Sequence, residues 1–143
     1  MREGRIELIG RGSTTETLSE EDVRDLVRRG LDQANLDGKR VLVIVPDSTR
    51  TVPLSLFFRS FYESLWGRVA ALDYLVALGT HQPMSDEALN RLVGITAEER
   101  SSVYAGVGLL NHRWDLPGTL ITVGTIPGAE IKEISRGMLI QDV

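Results

Sequence analysis

The stretch that decides the fold is a run of apolar residues followed by a proline and a polar segment. It reads Val41-Leu42-Val43-Ile44-Val45, then Pro46, then Asp47-Ser48-Thr49-Arg50-Thr51-Val52-Pro53. The run is rich in β-branched residues and has no polar face, which predicts a strand buried on both faces in a parallel sheet covered by helices. The proline ends the strand. The polar segment then lies at the strand's carboxyl end, where open α/β sheets bind ligands.

Helical patterns flank this strand on both sides. Ser19 can cap a helix that has Asp22 at its third position, and Pro53 suits the first turn of another. Gly67 fits the position just after the end of that second helix. The apolar positions of both helices keep a spacing of three or four residues; they are Val23, Leu26, Val27, Leu31 and Ala34, then Leu54, Phe57, Phe58, Phe61 and Leu65.

The alternation of strands and helices continues along the chain. A second strand is predicted within residues 69–78, Ser85 can cap a third helix, and Thr96 with Glu99 predicts a capping box for a short fourth. Further strands are predicted over residues 5–9, 103–110 and 119–126. This order predicts an α/β protein with a Rossmann-like layered fold, a mostly parallel sheet and helices on both faces.

Composition excludes several classes of protein. The chain has 143 residues and a net charge of −4, which favours a single domain over residues 1–143 and argues against a nucleic-acid binder. The absence of cysteine excludes disulfides, thiolate nucleophiles and cysteine-based metal centres. No apolar run approaches the roughly 20 residues of a membrane span, and no signal peptide is recognisable. We therefore expect no membrane partner and a cytoplasmic location.

The segment after the first predicted strand carries the first candidate site. Asp47, Ser48, Thr49 and Arg50 place a carboxylate, two hydroxyls and a guanidinium just before a helix. An arginine fork binds carboxylates and phosphates, and a helix N-terminus favours anions. Two interpretations stay open: an anion site at Arg50, or a turn in which Asp47 accepts backbone N–H bonds and pairs with Arg50.

The segment after the second predicted strand contains Thr80 and His81, one of only two histidines. Histidine can take and return a proton near neutral pH, although a histidine bonded to a backbone carbonyl in a loop is the alternative. A third polar cluster, residues 111–115, fits a surface turn anchored by Trp114 better than a site. His81 and His112 alone do not make a metal site.

These segments together resemble the lactate racemase family. Residues 47–53 look like its Asp-x-Thr-Arg-x-x-Pro motif. The sequence Gly79-Thr80-His81-Gln82-Pro83 resembles its Gly-x-His-x-Pro motif. A weaker similarity follows in residues 111–115 and 123–127. The resemblance spans roughly residues 40 to 135.

The resemblance implies an isomerase that moves a hydride between a 2-hydroxy acid and a nickel-pincer nucleotide. His81 would be one of two acid/base histidines, and Arg50 would be an anion clamp for the substrate. Asp47, Ser48, Thr49 and Thr80 would line the substrate or cofactor site. The family's second histidine, its cofactor lysine and its nickel-ligating histidine have no counterpart in this sequence.

We therefore expect the N-terminal domain of a larger, racemase-like isomerase that is inactive alone, with a small 2-hydroxy acid as substrate. Two alternatives stay open. One is a stand-alone module that binds a carboxylate or a nucleotide at Arg50 without catalysis. The other is an interaction domain that associates with itself through an uncovered sheet edge.

Overall fold

The computed structural model describes residues 8–143. The strand predicted for residues 5–9 therefore lies largely outside the described residues. Five helices and three strands follow one another within the described part of the chain: α1 (Glu20–Gln33), β1 (Arg40–Pro46), α2 (Leu54–Leu65), β2 (Ala71–Ala77), α3 (Asp86–Val93), α4 (Ala97–Ser101), β3 (Gly108–Asn111) and α5 (Gly128–Ile134).

The three strands form one parallel sheet in the order β1-β2-β3. The α/β class and the Rossmann-like layering predicted from the sequence are thus confirmed. Both crossover connections advance across the sheet in the same direction. Because such connections are right-handed, they place their helices on the same face of the sheet.

The covered face of the sheet forms the core. Leu72, Tyr74 and Val76 of β2 are fully buried there. Phe58 of α2 packs with its ring centroid 4.8 Å from Tyr74 and 5.0 Å from Tyr104. Burial raises the pKa of the Tyr74 hydroxyl, which donates a hydrogen bond of 3.1 Å to the Phe58 carbonyl.

The opposite face of the sheet is largely exposed, whereas the sequence predicted helices on both faces. Leu42 and Ile44 of β1 are 53% and 67% exposed, and Leu110 of β3 is 49% exposed. Within residues 8–143, helices therefore do not bury both faces. The apolar run of β1 is suited to burial on both sides, but the strand order supplies helices for only one of them.

Helix starts follow the predicted caps. The Ser19 and Thr96 side chains each accept the backbone N–H three residues on, and both form complete capping boxes. Ser85 caps α3. Gly67 follows α2 with φ +81°, as expected. Helix α1 lies against α2, where Arg24 contacts Glu63 at 3.0 Å.

Two predicted strands differ from the structure. The third strand is shorter than residues 103–110, because residues 102–106 form turns. The strand predicted over residues 119–126 does not form, and Ile121 and Val123 are 80% and 97% exposed. Its apolar pattern is suited to a strand, but its backbone forms no strand pairing in the described structure. Thr119 donates to the Leu116 carbonyl, and Ile126 exchanges two hydrogen bonds with Val143.

The chain divides into two compact units, Met1–His112 and Arg113–Val143. The first unit contains the whole sheet and helices α1 to α4. The second contains α5, whose Ile131 is buried. That residues 1–143 act as a single domain stays a prediction.

Candidate active site

The carboxyl ends of β1 and β2 meet at one edge of the sheet, because Pro46 is paired in register with Ala77. The first strand leads directly into Asp47, and the second leads through Leu78 and Gly79 to Thr80 and His81. Gly79 has a φ of +59°, a conformation that side-chain-bearing residues rarely adopt. This turn brings the His81 loop back toward the β1 end.

Asp47 is the buried centre of this edge, with 8% of its surface exposed. One carboxylate oxygen accepts the Thr49 hydroxyl at 2.6 Å and the Thr49 backbone N–H at 3.1 Å. The other lies 2.5 Å from Nδ1 of His81. The Thr49 hydroxyl, followed by His81 and the Thr49 amide, lowers the pKa of Asp47 to about 2.

The ionised state of Asp47 fixes the chemistry of His81. A carboxylate at neutral pH accepts hydrogen bonds and cannot donate one. Nδ1 of His81 must therefore carry the proton that it shares with Asp47, which leaves Nε2 as the ring nitrogen that can exchange a proton with a ligand. The imidazole side chain is 58% exposed, so a ligand can approach it.

Arg50 lines the same cavity. Its backbone N–H closes a turn onto the Asp47 carbonyl at 3.3 Å. Among the described residues, no hydrogen bond or ion pair engages its guanidinium. The first of the two interpretations of this segment is therefore favoured in part. Asp47 does accept a backbone N–H, but its side-chain partner in the neighbouring loop is His81 rather than Arg50.

A cavity of about 430 Å³ collects most of the predicted site residues. Asp47, Thr49, Arg50, Thr80 and His81 line it, together with apolar strand ends. Ser48 is exposed and lines a neighbouring cavity instead. The arrangement can clamp an anion at Arg50 and exchange a proton with it at His81.

Asn111 also supports the site, although the sequence placed it in a surface turn and not among the site residues. It ends β3, and its side chain accepts the Met84 N–H at 3.0 Å and donates to the Met84 carbonyl at 2.8 Å. These two bonds anchor the far end of the loop that carries His81. Its position at the carboxyl end of a strand was the available signal. The rest of the cluster does form an exposed turn, in which Arg113 forks onto Asp115.

The described residues of the first compact unit do not fit a covalently attached nickel nucleotide. No cluster of three or more potential metal ligands occurs among the described residues. Lys39 precedes β1 and so lies at the opposite end of that strand, roughly 25 Å from Asp47 at about 3.3 Å per residue. The chain's other lysine, Lys132, belongs to the second unit.

Comparisons with known proteins give a family and a similar solved structure. A family model described as the lactate racemase N-terminal domain matches residues 13–141. The chain is also similar to a crystal structure of a protein from Thermotoga maritima, with 30% identity and a TM-score of 0.71. That match covers 88% of this chain and 29% of the Thermotoga protein. A comparison with curated proteins gives no match. No helix among the described residues is both long and apolar enough to cross a membrane.

Proposed function

Because the chain belongs to the family of lactate racemase N-terminal domains, we propose that it supplies half of the active site of a 2-hydroxy acid isomerase. His81 would exchange a proton with the substrate hydroxyl, and Arg50 would bind the substrate carboxylate. The observation that carries this proposal is the 2.5 Å contact between Asp47 and His81 on the cavity that Arg50 also lines.

The roles follow from the bonding of each group. Asp47 keeps the imidazole in the tautomer that presents Nε2 to a ligand, and a positioned acid/base group typically contributes about 10²–10⁴-fold to rate. Arg50 supplies a fixed positive charge beside the oxygen on which negative charge develops when the hydroxyl loses its proton. Thr49 and Thr80 line the same cavity. Thr49 acts through Asp47, as two of its hydrogen bonds hold that carboxylate.

The hydride acceptor of such a reaction, the nickel-pincer nucleotide that the resemblance implies, does not fit the first unit of this chain. Neither a suitably placed lysine nor a metal-ligand cluster is found among its described residues. The 143 residues by themselves are expected to bind the acid without turning it over.

Activity should be tested in a longer protein that carries this chain as its N-terminal segment and is supplied with cofactor. Interconversion of D- and L-lactate, followed by chiral chromatography, should fall by about 10²–10⁴-fold in His81→Ala. Arg50→Ala should also lose activity. His112→Ala is the matched control, because His112 is the only other histidine and does not line the cavity. Full activity in both His81→Ala and Arg50→Ala would refute the proposal.

A further inference from the structure

A second cavity, of about 370 Å³, adjoins the first and shares Asp47 and Arg50 with it. Its other walls come from the loop before α2, the start of α2, the loop before α3 and α3 itself. Ser48 and Arg91 are polar members of this lining, and the remaining residues are apolar. These are Val52, Leu54, Met84, Ala88 and Leu92. A polar rim around an apolar wall is the usual character of a small-molecule subsite.

The walls of this second cavity are held by ordered elements. Leu54 is the buried first residue of α2. Ala88 and Leu92 are four residues apart on α3 and so project from the same side of that helix. The backbone of Met84 is anchored by both hydrogen bonds from Asn111. The cavity is therefore formed before any ligand enters it.

Arg91 also lines this cavity but does not make it a second anion clamp. Its side chain is 72% exposed and lies 3.5 Å from the carboxylate of Glu87. The Glu87 carboxylate offsets part of the Arg91 charge, and solvent screens the rest at this exposed position. Arg50 is therefore the main anion-binding group of the cavity, and Arg91 is not a second clamp of equal strength.

The geometry of a 2-hydroxy acid matches the two cavities around Arg50. Its second carbon carries a hydroxyl, a carboxylate, a hydrogen and one variable substituent. A carboxylate on Arg50 lies at the boundary between the cavities, with the hydroxyl directed toward His81 in the first. We propose that the second cavity binds the variable substituent and selects 2-hydroxy acids whose substituent is aliphatic or aromatic and larger than a methyl group. This inference rests on the proposed function.

Calorimetry on the 143-residue chain tests the subsite with four acids: lactate, 2-hydroxy-4-methylpentanoate, 3-phenyllactate and malate. The two acids with large apolar substituents should bind about tenfold or more tightly than lactate, since even one buried methylene is worth about that much. Malate should show no such gain.

Variants of α3 test whether the preference for the larger acids depends on the second cavity. Ala88→Trp should fill it and reduce the preference for phenyllactate over lactate to near one. Asp86→Trp is the matched control, because Asp86 lies on the same helix, is exposed, and does not line this cavity; it should keep the preference. If Ala88→Trp does not fold, Ala88→Leu serves as the smaller filling variant and should reduce the preference in part.

The possible results distinguish a failure of the proposed subsite from a failure of the proposed function. Lactate binding that depends on Arg50, with no gain for the larger acids, would overturn the subsite and leave the proposed function standing. A preference that survives both filling variants would also overturn it. Absence of binding by all four acids would contradict the subsite and the anion clamp together.

Discussion

At the scale of single residues, the site depends on one buried carboxylate. Asp47 accepts three hydrogen bonds, two from Thr49 and one from His81. These bonds join the end of β1 to the loop that follows β2. A single side chain thereby sets the orientation of the histidine and leaves the neighbouring arginine unpaired among the described residues.

The lowered pKa of Asp47 predicts how acid affects stability. Its ordinary value of 3.8 falls to about 2 in the folded chain, so protons bind the unfolded chain preferentially. The stabilisation from the ionised carboxylate is therefore complete above about pH 4 and is lost as the pH falls toward 2. Urea unfolding of the wild type and of Asp47→Asn at several pH values should show a stability difference that shrinks over that range. A difference that stays constant from pH 7 to pH 2 would contradict the assignment.

Asn111 provides a second prediction at this scale. Asn111→Ala removes both hydrogen bonds to the Met84 backbone and should cost about 1–3 kcal/mol of unfolding free energy. Amide hydrogen exchange in residues 79–84 should become faster. Asn90→Ala is the control, because the Asn90 side chain makes no hydrogen bond among the described residues. Unchanged exchange in that loop would show that Asn111 does not anchor it.

The sequence identified the site residues by type but not by partner. Motif and strand position predicted that Asp47, Arg50 and His81 would lie near one another. The sequence left open whether Arg50 would pair with Asp47 or bind an anion, and it did not predict the contact between Asp47 and His81. The distance between two loops decides it, and that distance depends on the strand register and on the turn at Gly79.

At the scale of the elements, replacing glycine with alanine should have opposite effects on stability in two helices. Gly94 ends α3 with φ +72°, and a Cβ atom there would lie 2.7 Å from Cβ of Ser55. Gly94→Ala should therefore cost about 1–2 kcal/mol or more. Gly30 lies inside α1 with open space around it. Gly30→Ala should stabilise by about 0.5–1 kcal/mol.

Thermal and urea unfolding of the two variants measure this contrast directly. Because the substitution is the same in both, the backbone conformation at each glycine is what differs. Equal effects of the two changes would contradict the left-handed end of α3.

Elements with local signals were predictable, and elements that need a distant partner were not. Serine and threonine caps are read within four residues of chain, so the starts of α1, α3 and α4 follow from the sequence. A strand forms only where a neighbour accepts its backbone bonds. Residues 119–126 carry the apolar pattern, yet nearly all of that segment remains unpaired in the described structure.

At the scale of the whole molecule, the two faces of the sheet differ in what they tolerate. Val76 is fully buried on the helix-covered face, whereas Ile44 on the other face is 67% exposed. Val76→Thr places a hydroxyl in the core and should cost about 1–3 kcal/mol. Ile44→Thr should stay within about 0.5 kcal/mol of the wild type.

Urea unfolding of these two variants tests whether the second face is open in solution. A large loss of stability in Ile44→Thr would show that this face is covered there. The one-sided cover could not be predicted from β1 alone, because an apolar run does not specify how many faces meet a helix. It follows from the strand order, which is a property of the whole sheet.

The chain spans 29% of the Thermotoga protein that it resembles. We propose that this chain supplies half of an active site, in which Arg50 binds the carboxylate of a 2-hydroxy acid beside the His81 imidazole. Nuclear magnetic resonance of the 143-residue chain measures this directly, because its only two histidines, His81 and His112, give separate ring signals. Addition of lactate should shift the His81 signals to saturation and leave those of His112 in place. Arg50→Gln should weaken this binding about tenfold or more. His81 signals that do not respond to lactate, or an Arg50→Gln variant that binds as tightly as the wild type, would contradict the claim.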